Sequence, residues 1–302
     1  MKGLYLGNDE KYLEKVSQAA GELSLLAKGG KTEVMLQKIN AGEFFCIEPG
    51  GNFDIMEFFY IQKGSILYEY NNRETILKEG DYFYVHSVQE PVHFQTLEEV
   101  KLIYVCSEPI FQHLSLRIRK IAEMVRKVEE KDVYTYNHGS RVKDYSIKIA
   151  KKLHFSSEKL EMLGFAAICH DVGKVYVPDE ILNKPSKLTE DEMDYIKKHP
   201  IDGSEMVKNT FYHNIHKFVE QHHERLDGSG YPYGLKDEEI LLEAKIIAVA
   251  DTYDAMTTDR AYRKGMDPMT SVNELRRLSG IHYDKNVVAA FEEVLKEEGI
   301  IN

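Results

Sequence analysis

The chain has 302 residues, 43% of them hydrophobic, and its 50 acidic against 39 basic side chains leave a formal charge of −11. That length, without a low-complexity tract, suits two globular domains with separate cores, and the acidity argues against a sequence-independent binder of nucleic-acid polymers, which needs a basic surface. Three cysteines, Cys46, Cys106 and Cys169, none in a C-x-x-C pair, make a poor disulfide framework; with no signal-like N-terminus and no run of about 18 apolar residues, the expectation is a cytoplasmic protein with no membrane segment.

In chain order, residues 44–47, 57–61, 65–70, 74–78, 82–85 and 101–106 read as short strands, separated by the turn signals Gly50-Gly51, Lys63-Gly64, Asn71-Asn72 and Gly80-Asp81. An antiparallel barrel or sandwich follows. Phe58-Phe59-Tyr60-Ile61-Gln62-Lys63-Gly64, then a hairpin, then Leu77-Lys78-Glu79-Gly80-Asp81-Tyr82, then Pro91-Val92-His93-Phe94 resembles, over residues 33–108, the small jelly-roll barrels called cupins. Metal-binding cupins carry a His-x-His and a later Glu in their first motif. Here that region offers Glu57 without the histidine pair, and His93 is the only histidine at a matching place in the second motif. The resemblance therefore implies a sensory or dimerising module over residues 1–108, answering to an unidentified small-molecule signal, with His93 an ordinary strand residue.

From residue 109 to 131 the period becomes helical: Leu114, Ile118, Ile121, Val125 and Val128 are spaced 4-3-4-3, with Arg117, Arg119, Lys120, Arg126 and Lys127 on other faces. One linker helix is expected, its stripe open to two uses, packing against its own domain or forming a homodimer seam. Residues 132–302 read as all-α, with helices over 137–153, 157–171, 189–208, 211–223, 241–257, 267–279 and 284–298. Thr189 ahead of Glu192 predicts a capping box. The expected fold class is thus a small antiparallel β-barrel, a linker helix and a helical bundle.

Within the helical half, His222-His223 runs into a glycine turn ending in Tyr231-Pro232, and His138, His170-Asp171 and His199 lie upstream. Imidazole nitrogen with carboxylate oxygen, drawn from several elements, is the donor set that divalent first-row metals prefer. Asp171 has two oxygens and so suits bridging two ions. Asp251 follows the apolar run Ile246-Ile247-Ala248-Val249-Ala250, where a carboxylate needs a metal or an arginine such as Arg141 or Arg260. Lys174, three residues past Asp171, falls near the same helical face. His86, His113, His154, His213, His216 and His282 fit no such pattern and are read as ordinary surface or core residues.

These residues resemble the HD superfamily of metal-dependent phosphohydrolases, marked by a His (His138), a His-Asp pair (His170-Asp171) and a distant Asp (Asp251). Its HD-GYP branch is similar at Val172-Gly173-Lys174, Leu182-Asn183-Lys184-Pro185, His199-Pro200, His222-His223-Glu224, Asp227-Gly228-Ser229-Gly230-Tyr231-Pro232 and Asp251-Thr252-Tyr253-Asp254-Ala255-Met256-Thr257 through Arg260 and Arg263. The match covers about residues 132 to 285. It implies a helical bundle that hydrolyses cyclic di-GMP to pGpG or GMP, the alternatives being cyclic GMP-AMP or another cyclic dinucleotide, or a receptor with little turnover. It also implies two divalent ions, iron or manganese foremost, one held by His138, His170, Asp171 and Asp251 and the other by Asp171, His199, His222 and His223. Members with a third metal have a Glu four residues before the first His; Tyr134 stands there. Lys174 would meet a phosphate oxygen, Tyr231 phosphate or base, Arg260 and Arg263 the ligand, and Asp254 the metal shell or the ligand. Arg141 would form a supporting salt bridge.

Overall fold

Along Val100–Cys106 every second residue is fully buried, the outcome of period-two side chains on a sheet with one face on a core. The computed structural model describes residues 3–8, 11–49, 54–71, 73–132, 137–208, 214–259 and 264–302. In it this strand, β10, closes a series formed by β1 (Glu14–Gln18), β2 (Gly21–Gly29), β3 (Thr32–Ile39), β4 (Phe44–Ile47), β5 (Met56–Lys63), β6 (Ser65–Tyr70), β7 (Arg73–Lys78), β8 (Tyr82–His86) and β9 (Val92–Thr96). They form two antiparallel sheets, ordered β1-β2-β3-β10-β5-β8 and β4-β9-β6-β7. Among the described residues no ladder joins the sheets into a closed barrel. Their inner faces meet where Phe94 of β9 stacks on Phe83 of β8, ring centroids 4.7 Å apart, while Phe59 of β5 and Tyr104 of β10, paired neighbours in the first sheet, stack at 4.3 Å. Leu23, Met35, Ile61, Ile66 and Leu102 complete this core.

β1 to β3 lie outside the strands expected from sequence. A bulge between Leu25 and Ala27 shifts the pairing register of β2 against β3, and β3 buries Met35 and Leu36 in succession, so simple alternation is broken where it would be sought.

The chain divides into two units, Met1–Glu123 and Met124–Asn302. The boundary falls inside helix α1 (Phe111–Lys131), so the first unit includes the front of the helix expected as a linker. There the Phe111 N–H donates to the buried Glu33 carboxylate at 2.7 Å, filling one of the unmet donors of a helix start, and Leu114 and Ile118 pack on the sheet core.

The second unit is helical: α2 (His138–Lys152), α3 (Ser157–Cys169), α4 (Asp179–Leu182), α5 (Glu190–Ile196), α6 (His199–Val207), α7 (Ile215–Gln221), α8 (Leu242–Thr257), α9 (Pro268–Leu278) and α10 (Lys285–Glu297), with 3-10 turns at Val172–Tyr176 and Asp237–Glu239. α8 buries Ile246, Ile247, Ala248, Val249 and Ala250 in succession, as a helix enclosed on all sides does. α2 packs against α3, α8 and α10, and Tyr253 meets Phe291 edge-on at 4.8 Å. The helix expected over 189–208 is two helices. Thr189 and Glu192 form the capping box that opens α5, and Pro200, which lacks an N–H and fits a first turn, starts α6. Tyr134, His213, Arg260 and Arg263 lie outside the described residues, as does the start of the helix expected over 211–223. Among the described residues no helix is long and apolar enough to cross a membrane.

Candidate metal centre

Helix ends converge in the second unit. His138 is the first residue of α2 and His199 the first of α6, His170 and Asp171 follow α3, His222 and His223 follow α7, and Asp251 projects from the middle of α8. At a helix end the backbone departs from the helical path, so neighbours such as His170 and Asp171 can reach a common centre. All are buried except His223 and Asp251, which are half-buried.

The structure brings these seven side chains together as two overlapping groups. Ligand atoms of His138, His170 and Asp171 lie within 4.8 Å of one another, as do those of Asp171, His199, His222 and His223. Asp171 belongs to both groups and divides its oxygens between them. Oδ2 lies 3.4 Å from His170 Nε2 and 3.8 Å from His138 Nε2, while Oδ1 lies 3.3 Å from His199 Nε2. Asp251 Oδ1 joins the first group, 3.3 Å from His138 Nε2 and 3.9 Å from His170 Nε2.

Three of these imidazoles are oriented alike. His170 Nδ1 lies 2.6 Å from Ala167 O, His199 Nδ1 2.7 Å from Ile196 O, and His222 Nδ1 2.6 Å from Val219 O, each the carbonyl three residues earlier. A carbonyl only accepts, so Nδ1 carries the proton and each Nε2 presents a lone pair. Those lone pairs face inward. His199 Nε2 and His222 Nε2 stand 3.3 Å apart, and buried His170 Nε2 has no hydrogen-bond partner. Opposed acceptors in a dry site call for a cation, and the residues present fit divalent metal ions.

Electrostatics agree. Burial, reinforced by the neighbouring imidazoles, pushes His222 and His223 well below the ordinary histidine range, and burial lowers His170. Burial would raise Asp171, but Lys174 and the adjacent histidines hold it well below the usual carboxylate range. Neutral imidazoles and ionised carboxylates are the forms that bind metal; His138 is the counterexample, since burial opposes its charge but Asp251 and Asp254 raise it to about 9.

Around this donor set, Asp254 takes His138 Nδ1 at 2.7 Å and Arg141 through Nε at 2.6 Å, and is 2% exposed. Both of its oxygens are engaged behind His138, and Arg141 pairs with Asp254 rather than with Asp251. Lys174, in the 3-10 turn after Asp171, lies 2.7 Å from Asp171 Oδ2 and 3.3 Å from Asp132 Oδ2; these carboxylates outweigh burial and raise its ammonium above the ordinary lysine range. Tyr231 lies over His223, with ring centroids 4.6 Å apart.

Three supporting residues carry no expectation from sequence. Buried Glu224 accepts Tyr233 N–H at 2.7 Å and Leu235 N–H at 2.9 Å, closing the loop that carries Tyr231. Arg225 donates to Glu224 O and lies over the Tyr283 ring, 5.1 Å from its centroid. Asp132 pairs with Lys174. The adjacency Glu224-Arg225 within the motif was a signal for the first two. Asp132 comes from another element, and no spacing rule links it to Lys174. Two glycines fit by closeness: a Cβ on Gly173 would lie 2.0 Å from His199 O, and one on Gly230 2.4 Å from Arg225 N. Only glycine permits such approach.

The sequence profile of the HD domain family matches residues 123–287, more than half of the chain, and the chain belongs to that family. Among curated relatives, a cyclic di-GMP phosphodiesterase of Pseudomonas aeruginosa is 38% identical over 169 residues, 55% of this chain and 40% of the relative. A cyclic di-GMP phosphodiesterase of Thermotoga maritima is 35% identical over 200 residues, 65% of this chain and 54% of the relative. The 3′3′-cGAMP-specific phosphodiesterase 1 of Vibrio cholerae is 37% identical over 156 residues, 51% of this chain and 35% of the relative. The chain thus spans about half, or less, of the length of these relatives.

Proposed function

We infer that the second unit is a metal-dependent phosphodiesterase acting on a cyclic dinucleotide, cyclic di-GMP foremost. The observation that carries this is the division of Asp171 between two histidine groups, Oδ2 toward His138 and His170, which Asp251 also approaches, and Oδ1 toward His199, grouped with His222 and His223. Two divalent ions, iron or manganese foremost since these donors also accept other first-row metals, would be held by those seven residues. When bound, such ions lower the pKa of water and neutralise charge on phosphoryl oxygens.

The chain's own groups do the rest. Lys174 stands beside the shared carboxylate, where its ammonium can donate to a non-bridging phosphate oxygen. Tyr231, against His223, walls the second group, and Arg260 and Arg263 follow α8 in sequence, where bidentate donors would grip phosphate or a guanine edge. Asp254 and Arg141 orient His138. Water adds across the P–O3′ bond, leaving a 5′-phosphate and a free 3′-hydroxyl, so one cut of cyclic di-GMP gives pGpG and a second gives GMP. The first unit, with two facing antiparallel sheets, is assigned a cupin-like jelly-roll architecture and a sensory role.

Cyclic GMP-AMP is the second reading, supported by the likeness to the Vibrio cholerae enzyme. Anaerobic purification, metal analysis and product identification with both nucleotides decide. Turnover of cyclic di-GMP by protein holding two metals per chain is the expected result. Turnover of cyclic GMP-AMP alone replaces the substrate, and metal-loaded protein that cleaves neither nucleotide overturns the enzyme reading in favour of a receptor.

A further inference from the structure

Next to the shared carboxylate stands another acid that the proposed chemistry leaves unused. Asp132 ends α1, its N–H donating to Val128 O at 2.8 Å. Its side chain is 6% exposed and lies 3.3 Å from Lys174 Nζ. Lys174 also donates to Asp171 Oδ2 at 2.7 Å, the same oxygen that faces His138 and His170. A cation at the first group and the Lys174 ammonium therefore claim one oxygen. Like charges crowded in a dry site repel strongly, so the ammonium needs another counterion or must leave. Asp132, reaching in from a different element, is within range, and an ammonium with three donors can keep one on Asp132 and turn another outward.

We propose that Asp132 is a positioning residue: it takes the Lys174 ammonium when a divalent cation takes Asp171 Oδ2, and thereby keeps Lys174 at the rim of the site as a donor to an anionic phosphoryl oxygen. The substrate half of this rests on the phosphodiesterase reading; the metal half rests on the donor set alone. Without Asp132, Lys174 falls back onto Asp171 and competes with the metal.

The test is a double-mutant cycle on full-length protein, reading manganese affinity by titration in wild type, Asp132→Asn, Lys174→Gln and the double variant. Asp132→Asn is expected to weaken manganese binding about tenfold, and Lys174→Gln to restore it in that background while changing wild type little, a coupling that independent sites do not show. Strictly additive effects, or wild-type affinity in Asp132→Asn, overturn the proposal. Melting curves show whether the Asp132→Asn protein is misfolded, and Asp132→Glu, which keeps the charge, is then compared against it and must recover affinity. With cyclic di-GMP, Asp132→Asn should raise KM about tenfold with kcat within about twofold, and Asp132→Glu should recover it; a fall in kcat at unchanged KM overturns the substrate half. If wild type cleaves no cyclic dinucleotide, the functional reading fails while the manganese cycle still decides the role of Asp132.

Discussion

Asp171 is the residue that both candidate ligand groups share, since each of its oxygens faces a different set of imidazoles. Asp171→Ala should lose bound metal and activity together, read by metal analysis alongside turnover; full activity in that variant would refute the shared role. Lys174→Ala should keep its metals and lose kcat/KM, chiefly through a raised KM. Glu224 acts one step further out. Removing it in Glu224→Ala leaves the Tyr233 and Leu235 N–H groups without their acceptor, a cost of about 1–3 kcal/mol, and frees the loop that carries Tyr231. A lower melting temperature with metals retained and a raised KM is the expected pattern, and Glu224→Gln should recover part of it. That these histidines and aspartates belong together was legible in the sequence, because those residue types at those spacings have few other uses, and the structure gathers them. The partners of Asp254 were not: facing along α8 leaves a metal-shell or a ligand role equally open, and only the approach of His138 and Arg141 from α2 distinguishes them.

At the scale of elements, the break between α5 and α6 places His199 at a helix start, and Gly173 lets α6 lie against the 3-10 turn that holds Lys174. A methyl group at 173 would meet the His199 carbonyl at 2.0 Å and Gly203 N at 2.5 Å. Gly173→Ala should therefore push α6 away at a cost of about 1–3 kcal/mol, visible as a lower melting temperature and reduced metal content, because His199 moves with the helix; unchanged metal content would show that α6 is not needed to hold the second group. Helical periodicity located α2, α3, α8, α9 and α10 closely. It ran through the α5–α6 break, since apolar spacing continues across Lys198-His199 while the backbone does not. The four-residue α4 is too short to carry a period. In the first unit β8 and β10 alternate plainly, whereas the bulge in β2 and the successive buried residues of β3 hid the earlier strands.

For the whole molecule, candidate ligands drawn from α2, α6, α8 and the ends of α3 and α7 would make bound metals a crosslink of the second unit. Chelation should lower the melting temperature of that unit by about 5–10 °C, given about 2.7 kcal/mol of binding stabilisation at a hundredfold excess over Kd. The first unit has its own aromatic core, and its unfolding, followed separately by exchange of β10 amides, should not respond to the chelator. Equal shifts in both would show that the units unfold as one. That two units exist was legible from the change of period near residue 109. Their boundary inside α1 was not, because the apolar stripe of that helix runs unbroken from Leu114, half-buried against the sheet core, to buried Val128.

His138 sits between two aspartates, Asp251 at 3.3 Å and Asp254 at 2.7 Å. Burial works against its charge, yet those hydrogen bonds lift it to about 9, while His222 and His223 lie well below 6.5. Metal-free chain near neutrality therefore keeps a proton on His138 and none on the other pair. Loading the first group is an exchange in which a cation expels that proton, whereas His222 and His223 have none to expel. Affinity at the first group should climb about tenfold per pH unit until about 9 and then level. Calorimetry in two buffers of unlike ionisation heat should count one proton released from His138 as the first group fills, so that acidity works directly against that half of the centre.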